Sequence, residues 1–241
     1  MRCLILIPLI VSIGGAQSTV EPPLAGILRD PAGQVRRILG VSGNLLAPPA
    51  EHAGVKAAEF TGRSGMIKTD AVLILLDDRA RPLRSFAAPA GGAIFGFDSD
   101  GMPSLCYFES GELWDLASDP PRVTSVPEAG GKVLALEPAG AGAVRLLVAQ
   151  SDGVWLKQLE RATGVITVLE RLATEPVRDA RMNALLLDQA VRIRMEDGEW
   201  RTIALPEPAS ALARMGEGWL AAPPFAVRRG QICRLPGEAA Q

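Results

Sequence analysis

One motif recurs along this chain and restricts its fold more than any other feature. A short alternating apolar run, a polar turn carrying Gly or Pro, and a second apolar run appear three times in close copy. They read G-E-L-W-D-L-A-S-D-P-P-R-V-T-S-V-P from Gly111, D-G-V-W-L-K-Q-L-E-R-A-T-G-V-I-T-V-L-E over 152–170, and Q-A-V-R-I-R-M-E-D-G-E-W-R-T-I-A-L-P from Gln189. Looser copies begin at Leu24 (L-A-G-I-L-R-D-P-A-G-Q-V-R-R-I-L-G) and Ala71 (A-V-L-I-L-L-D-D-R-A-R-P-L-R-S-F), and a shortened one begins at Phe225. Turns therefore fall near Ala32, Ala80, Asp119, Ala162, Asp197 and Arg229. Gly and Asp at these points tolerate the positive φ of tight hairpins, so the copies read as β-hairpins rather than capped helices.

A second strand pair lies between successive hairpins. A-I-F-G-F-D-S-D-G-M-P-S-L-C-Y-F from Ala93 is the clearest, and K-V-L-A-L-E-P-A-G-A-G-A-V-R-L-L-V-A from Lys132 repeats it. Shorter versions start at Ala180 and Ala211. The segment most like a helix, Leu159 to Ala173, is broken by Thr163-Gly164 and carries Val165, Ile166, Thr167 and Val168. Those β-branched residues make it strand. Two hairpins per period give four antiparallel strands and a sheet-only repeat of roughly forty residues. An open sandwich is the structural alternative.

Asp152-Gly153-Val154-Trp155 followed by Ala162-Thr163-Gly164 resembles the third and fourth strands of WD40-type and YVTN-type repeats, and Trp114-Asp115 supplies one Trp-Asp dipeptide. No Gly-His dipeptide accompanies it. The resemblance implies an all-β fold, a β-propeller of about five to six small four-stranded blades, and no particular family. The Leu24–Gly40 copy reads as a turn hairpin without a preceding strand pair, and the last copy is short. A ring closed by N- and C-terminal strands sharing one blade accommodates both.

The first residues, M-R-C-L-I-L-I-P-L-I-V-S-I-G-G-A-Q, have the layout of a secretory signal peptide: Arg2, an apolar run from Cys3 to Ile13, and the small Gly14-Gly15-Ala16. The expected organisation is a signal peptide over 1–16 and a single β-propeller domain over 17–241, exported to the periplasm or beyond the cell. No later stretch is apolar enough to be a stable membrane span. A formal net charge of −2 argues against a general grip on nucleic acid, which needs a basic stripe. Cys106 and Cys233 are assigned to different repeats and are expected to stay unpaired, since a bridge needs Cα atoms within about 7 Å.

Chemistry leaves few marks. His52 is the single histidine, which removes multi-histidine zinc sites, and it reads as a loop residue. No metal or other cofactor is expected. Gly62-Arg63-Ser64-Gly65 misses the nucleophile-elbow pattern by one position, and so does Gly40-Val41-Ser42-Gly43. Gly140-Ala141-Gly142 reads as a turn between strands rather than a phosphate cradle. Asp98-Ser99-Asp100-Gly101 lacks the remaining ligands of a calcium loop and reads as an Asp-Gly hairpin. Trp114 and Trp155 share a repeat position and are expected to fill the space between sheets. The link from the inner strand pair to the turn hairpin repeatedly carries an acid: Asp70, Glu109, Asp152 and Asp188. On one rim of a ring these would form an acidic mouth able to attract a basic partner. The function expected is a non-enzymatic module binding a protein or envelope component. The alternative is a propeller hydrolase or lyase acting on carbohydrate or peptide through loop carboxylates, with no catalytic residues assignable.

Overall fold

A computed structural model of the chain describes residues 24–29, 35–39, 46–49 and 54–234, except 141, 210, 216–218, 223 and 229. Residues 1–16, His52 and Ser42 lie outside the described residues. Among the described residues there is no helix, and the strands form six sequence-local antiparallel sheets. Sheet one holds β1 (Leu24–Arg29), β2 (Val35–Leu39) and β3 (Leu46–Pro49). Sheet two holds β4 (Ala57–Phe60), β5 (Gly65–Lys68), β6 (Val72–Leu76) and β7 (Pro82–Ala87). Sheet three holds β8 (Ala93–Phe97), β9 (Pro103–Phe108), β10 (Glu112–Asp115) and β11 (Arg122–Ser125). Sheet four holds β12 (Lys132–Pro138), β13 (Ala143–Gln150), β14 (Gly153–Glu160) and β15 (Ile166–Ala173). Sheet five holds β16 (Asp179–Arg181), β17 (Ala184–Leu186), β18 (Ala190–Arg194) and β19 (Trp200–Ala204). Sheet six holds β20 (Ala213–Met215), β21 (Trp219–Ala222), β22 (Phe225–Arg228) and β23 (Gln231–Arg234).

Each sheet is a meander in chain order, and the first strands of different sheets touch one another: β8 with β12, β12 with β16, β4 with β8, and β1 with both β4 and β20. First strands therefore surround a common centre, and the sheets radiate from it. The core lies between sheets. Because side chains alternate across a strand, each strand supplies two neighbouring cores. On β9, Leu105 and Tyr107 face sheet four, while Cys106 and Phe108 face sheet two. On β13, Val144, Leu146 and Val148 face sheet three, and Leu147 faces sheet five. On β17, Ala184 and Leu186 face sheet six, and Leu185 faces sheet four. Gly96 on β8 permits the closest approach, since a Cβ there would stand 2.7 Å from Leu136 Cδ1.

Two expectations change. The Leu24–Gly40 copy is not an outer pair: β1 lies at the centre against β4 and β20, and β1 and β2 are the first and second strands of their sheet. Among the described residues no sheet mixes strands from the two chain ends. Hairpin chemistry is the same for inner and outer pairs, so local sequence marks the turn without ranking its distance from the axis. Trp155 also departs from expectation. Trp114 is buried, edge-on to Phe108 with ring centroids 4.8 Å apart. Trp155 is half-buried beside a register shift between β14 and β15. Its indole N–H donates to Asp152 Oδ1 at 3.0 Å, and Arg171 stacks 5.3 Å above the ring. Segment 159–173 is strand and turn, and Gly140 and Gly142, both at positive φ, lie between β12 and β13. Cys106, buried in sheet three, and Cys233, exposed in sheet six, are both free.

Candidate functional site

Meander topology gives the ring two unlike ends. The starts of the first strands share one end with the hairpins joining second to third strands. The hairpins joining first to second and third to fourth strands share the other.

At that second end, polar groups latch sheet to sheet. Ser64 Oγ and Thr61 Oγ1, both in the β4–β5 turn, donate to Gly101 O of the β8–β9 turn at 2.6 and 2.7 Å. Arg84 pairs with Asp119 at 2.8 Å, and Arg161 pairs with Asp115. Ser64 is thus a structural hydroxyl. Asp98 is a turn residue: its Oδ1 accepts the N–H groups of Asp100 and Met102, each at 2.9 Å.

The first end carries all four predicted acids, each in a link between second and third strands. Asp70 and Glu109 come together around Gly91-Gly92. The Gly91 N–H lies 3.5 Å from Asp70 Oδ1, and a Cβ on Gly91 would stand 2.6 Å from Glu109 Oε2. Beneath them lies Lys68, fully buried, whose Nζ donates to Thr69 O and Asp70 O at 2.5 and 2.9 Å. Burial lowers its pKa, and the Asp70 and Glu109 charges pull in the opposite direction. Asp152 and Asp188 sit in separate neighbourhoods, each beside an arginine. Arg171 is 3.7 Å from Asp152, and Arg178 pairs with Asp188. The Trp155 hydrogen bond, helped by Arg171, holds the Asp152 carboxyl below the usual range.

The centre opens as a cavity of ≈ 330 Å³ lined by the first strands of sheets two to six. Lys56, just before β4, Lys132, at the start of β12, and Arg178, just before β16, stand at the acidic end. Deeper, Glu59 is buried with its Oε1 3.4 Å from Arg181 Nε and 3.9 Å from Arg214 Nε. Arg181 also contacts Asp179 at 3.1 Å and donates to Leu212 O at 2.6 Å, while Asp179 Oδ2 accepts the Leu212 N–H at 2.7 Å. Burial opposes the charge on Arg181, but Glu59 and Asp179 more than offset it, so its pKa stands above the ordinary value. Sequence reading missed this constellation because Glu59, Arg181 and Arg214 are far apart in the chain and carry no motif. Among the described residues no cluster of His, Cys, Asp and Glu is arranged to hold a metal.

A search of solved structures finds the same arrangement. The chain superposes on BBS1N from a complex with ARL6DN at 13% identity, covering 88% of this chain and 87% of that one, with TM-score 0.51. The fold is a β-propeller. It also matches PorZ, described as an essential bacterial surface component of the type-IX secretion system of Porphyromonas gingivalis, at 11% identity and TM-score 0.51. That match covers 89% of this chain and spans only 31% of PorZ. Virginiamycin B lyase from Staphylococcus aureus is similar over 91% of this chain and 85% of its own, at 13% identity and TM-score 0.47. No protein-family model and no curated protein matches the sequence. At these identities the likeness concerns the fold alone.

Proposed function

We propose that this propeller is an exported, non-enzymatic binding module that docks a protein or envelope partner at the end bearing Asp70, Glu109, Asp152 and Asp188. The observation carrying this reading is the state of the central carboxylates. Arg181 stands between Glu59 and Asp179, and Asp179 also holds the Leu212 N–H. An acid–base or nucleophile pair needs carboxylates free to face a substrate, whereas Glu59 and Asp179 are committed to holding the ring and the third lining carboxylate, Glu137, is paired with Arg145 at 3.3 Å. The acidic end gathers Asp70, Glu109, Asp152 and Asp188 in the links between second and third strands, a charge pattern suited to a basic partner. We also take the six sheets to be six blades, sealed where β1 meets β20. Fold analogy lends no function by itself, although similar propellers come from a protein complex and from a bacterial surface component.

The test places a photoreactive residue at Ser110 or Gln189 on the acidic end, and at Arg63 or Asp197 on the other, in the native cell. Adducts should form from the acidic end alone, on protein recovered outside the cytoplasm and beginning near Gln17. Adducts confined to the opposite end would move the docking face. Turnover of a polysaccharide or peptide by the purified chain, lost on Asp179→Asn, would replace this reading with the hydrolase or lyase alternative.

A further inference from the structure

We infer that the central cavity is a binding site for a small dianion, a phosphate monoester or a short dicarboxylate, held by Lys56 and Lys132 at its acidic-end mouth. Five cationic side chains line the cavity (Lys56, Lys132, Arg178, Arg181 and Arg214) against three carboxylates, Glu59, Glu137 and Asp179. The lining therefore has an excess of two positive charges, in a chain whose formal net charge is −2. The excess can be located. Arg178 is balanced by Asp188, Glu137 by Arg145 at 3.3 Å, and Arg181 with Arg214 by Glu59 and Asp179. Lys56 and Lys132 remain, and among the described residues neither belongs to an ion pair.

Arg181 does not compete for the entering anion: its Nε, buried in the cavity wall, faces Glu59 Oε1 at 3.4 Å, so the anion is left to Lys56 and Lys132. The remaining wall is largely apolar, with Ile94, Phe95, Val133 and Met182 among its residues. Charged groups converging among apolar side chains are found at small-molecule sites, and ≈ 330 Å³ is near the lower end of their usual range. The ligand is small and distinct from the partner proposed above, so either reading can fail without the other.

The experiment titrates inorganic phosphate, succinate and acetate into the full chain by calorimetry at low ionic strength. Phosphate or succinate should bind one to one, more tightly than acetate and with an affinity that falls as salt is added. A preference for phosphate assigns a phosphate ester, and a preference for succinate a dicarboxylate. The double variant Lys56→Gln with Lys132→Gln should lose at least about tenfold in affinity with an unchanged melting temperature, because both side chains are exposed. A control with the same charge change on outer strands, Arg122→Gln with Arg201→Gln, should bind as the parent does. Absence of binding by any of the three anions, or equal weakening in the control, would overturn the inference.

Discussion

Asp77 shows how much one carboxylate does in a tight turn. At the β6–β7 hairpin its Oδ1 accepts the N–H groups of Arg79 and Arg81 at 2.9 and 2.8 Å, and its Oδ2 accepts Arg81 Nε at 3.0 Å. The Arg81 N–H is the main reason its pKa falls below the ordinary value, with partial desolvation opposing. Since the folded pKa is the lower, the stabilisation is present above the unfolded carboxylate value of about 3.9. It is lost as pH falls through the folded pKa. Asp77→Asn keeps the turn geometry and removes the charge. Urea midpoints of parent and variant should therefore differ at neutral pH and converge on acidification below the ordinary carboxylate range. A constant difference across that window would show that the turn, not the charge, carries the effect.

Hairpins are the elements that repeat, and the β8–β9 hairpin joins turn chemistry to packing between sheets. Gly101 has φ +78°, its carbonyl accepts both Thr61 Oγ1 and Ser64 Oγ, and a Cβ would stand 2.9 Å from Thr61 Oγ1. Gly101→Ala should cost about 1–2 kcal/mol from the left-handed backbone alone, plus any loss of the two hydroxyl bonds. Equilibrium unfolding measures the total, and a background of Thr61→Ala with Ser64→Ala separates the parts. This hairpin was legible in the sequence, because Asp100-Gly101 between apolar runs states its own turn. The partner of its carbonyl was not, since Thr61 and Ser64 belong to the preceding sheet. The acids at 70, 109, 152 and 188 follow the same rule. Their recurrence in one class of link could be read from the repeat, whereas the Arg178–Asp188 pair and the buried Lys68 beneath Asp70 required the folded ring.

Across the whole molecule, the Glu59–Arg181–Arg214 group joins β4, β16 and β20 through the centre. Glu59→Gln would leave Arg181 with Asp179 as its remaining carboxylate in a buried site. Removing one partner of a buried pair is costly, and about 3 kcal/mol is expected here. The loss should appear as a lower denaturant midpoint by circular dichroism, with the β-rich spectrum kept under native conditions. An unchanged midpoint would mean that apolar contacts between sheets alone fix the ring.

By itself the sequence determined the all-β class, the four-strand period, the turns that end each hairpin and the separation of Cys106 from Cys233. These depend on side-chain alternation and on the backbone freedom of Gly and Asp, both properties of neighbours in the chain. Tertiary structure alone decided that the Leu24–Gly40 hairpin is innermost, that Trp155 is half-buried where Trp114 is covered, and that Lys56 and Lys132 share one cavity with Arg181. Each of these depends on which sheet packs against which, and so on contacts between residues that the chain keeps far apart.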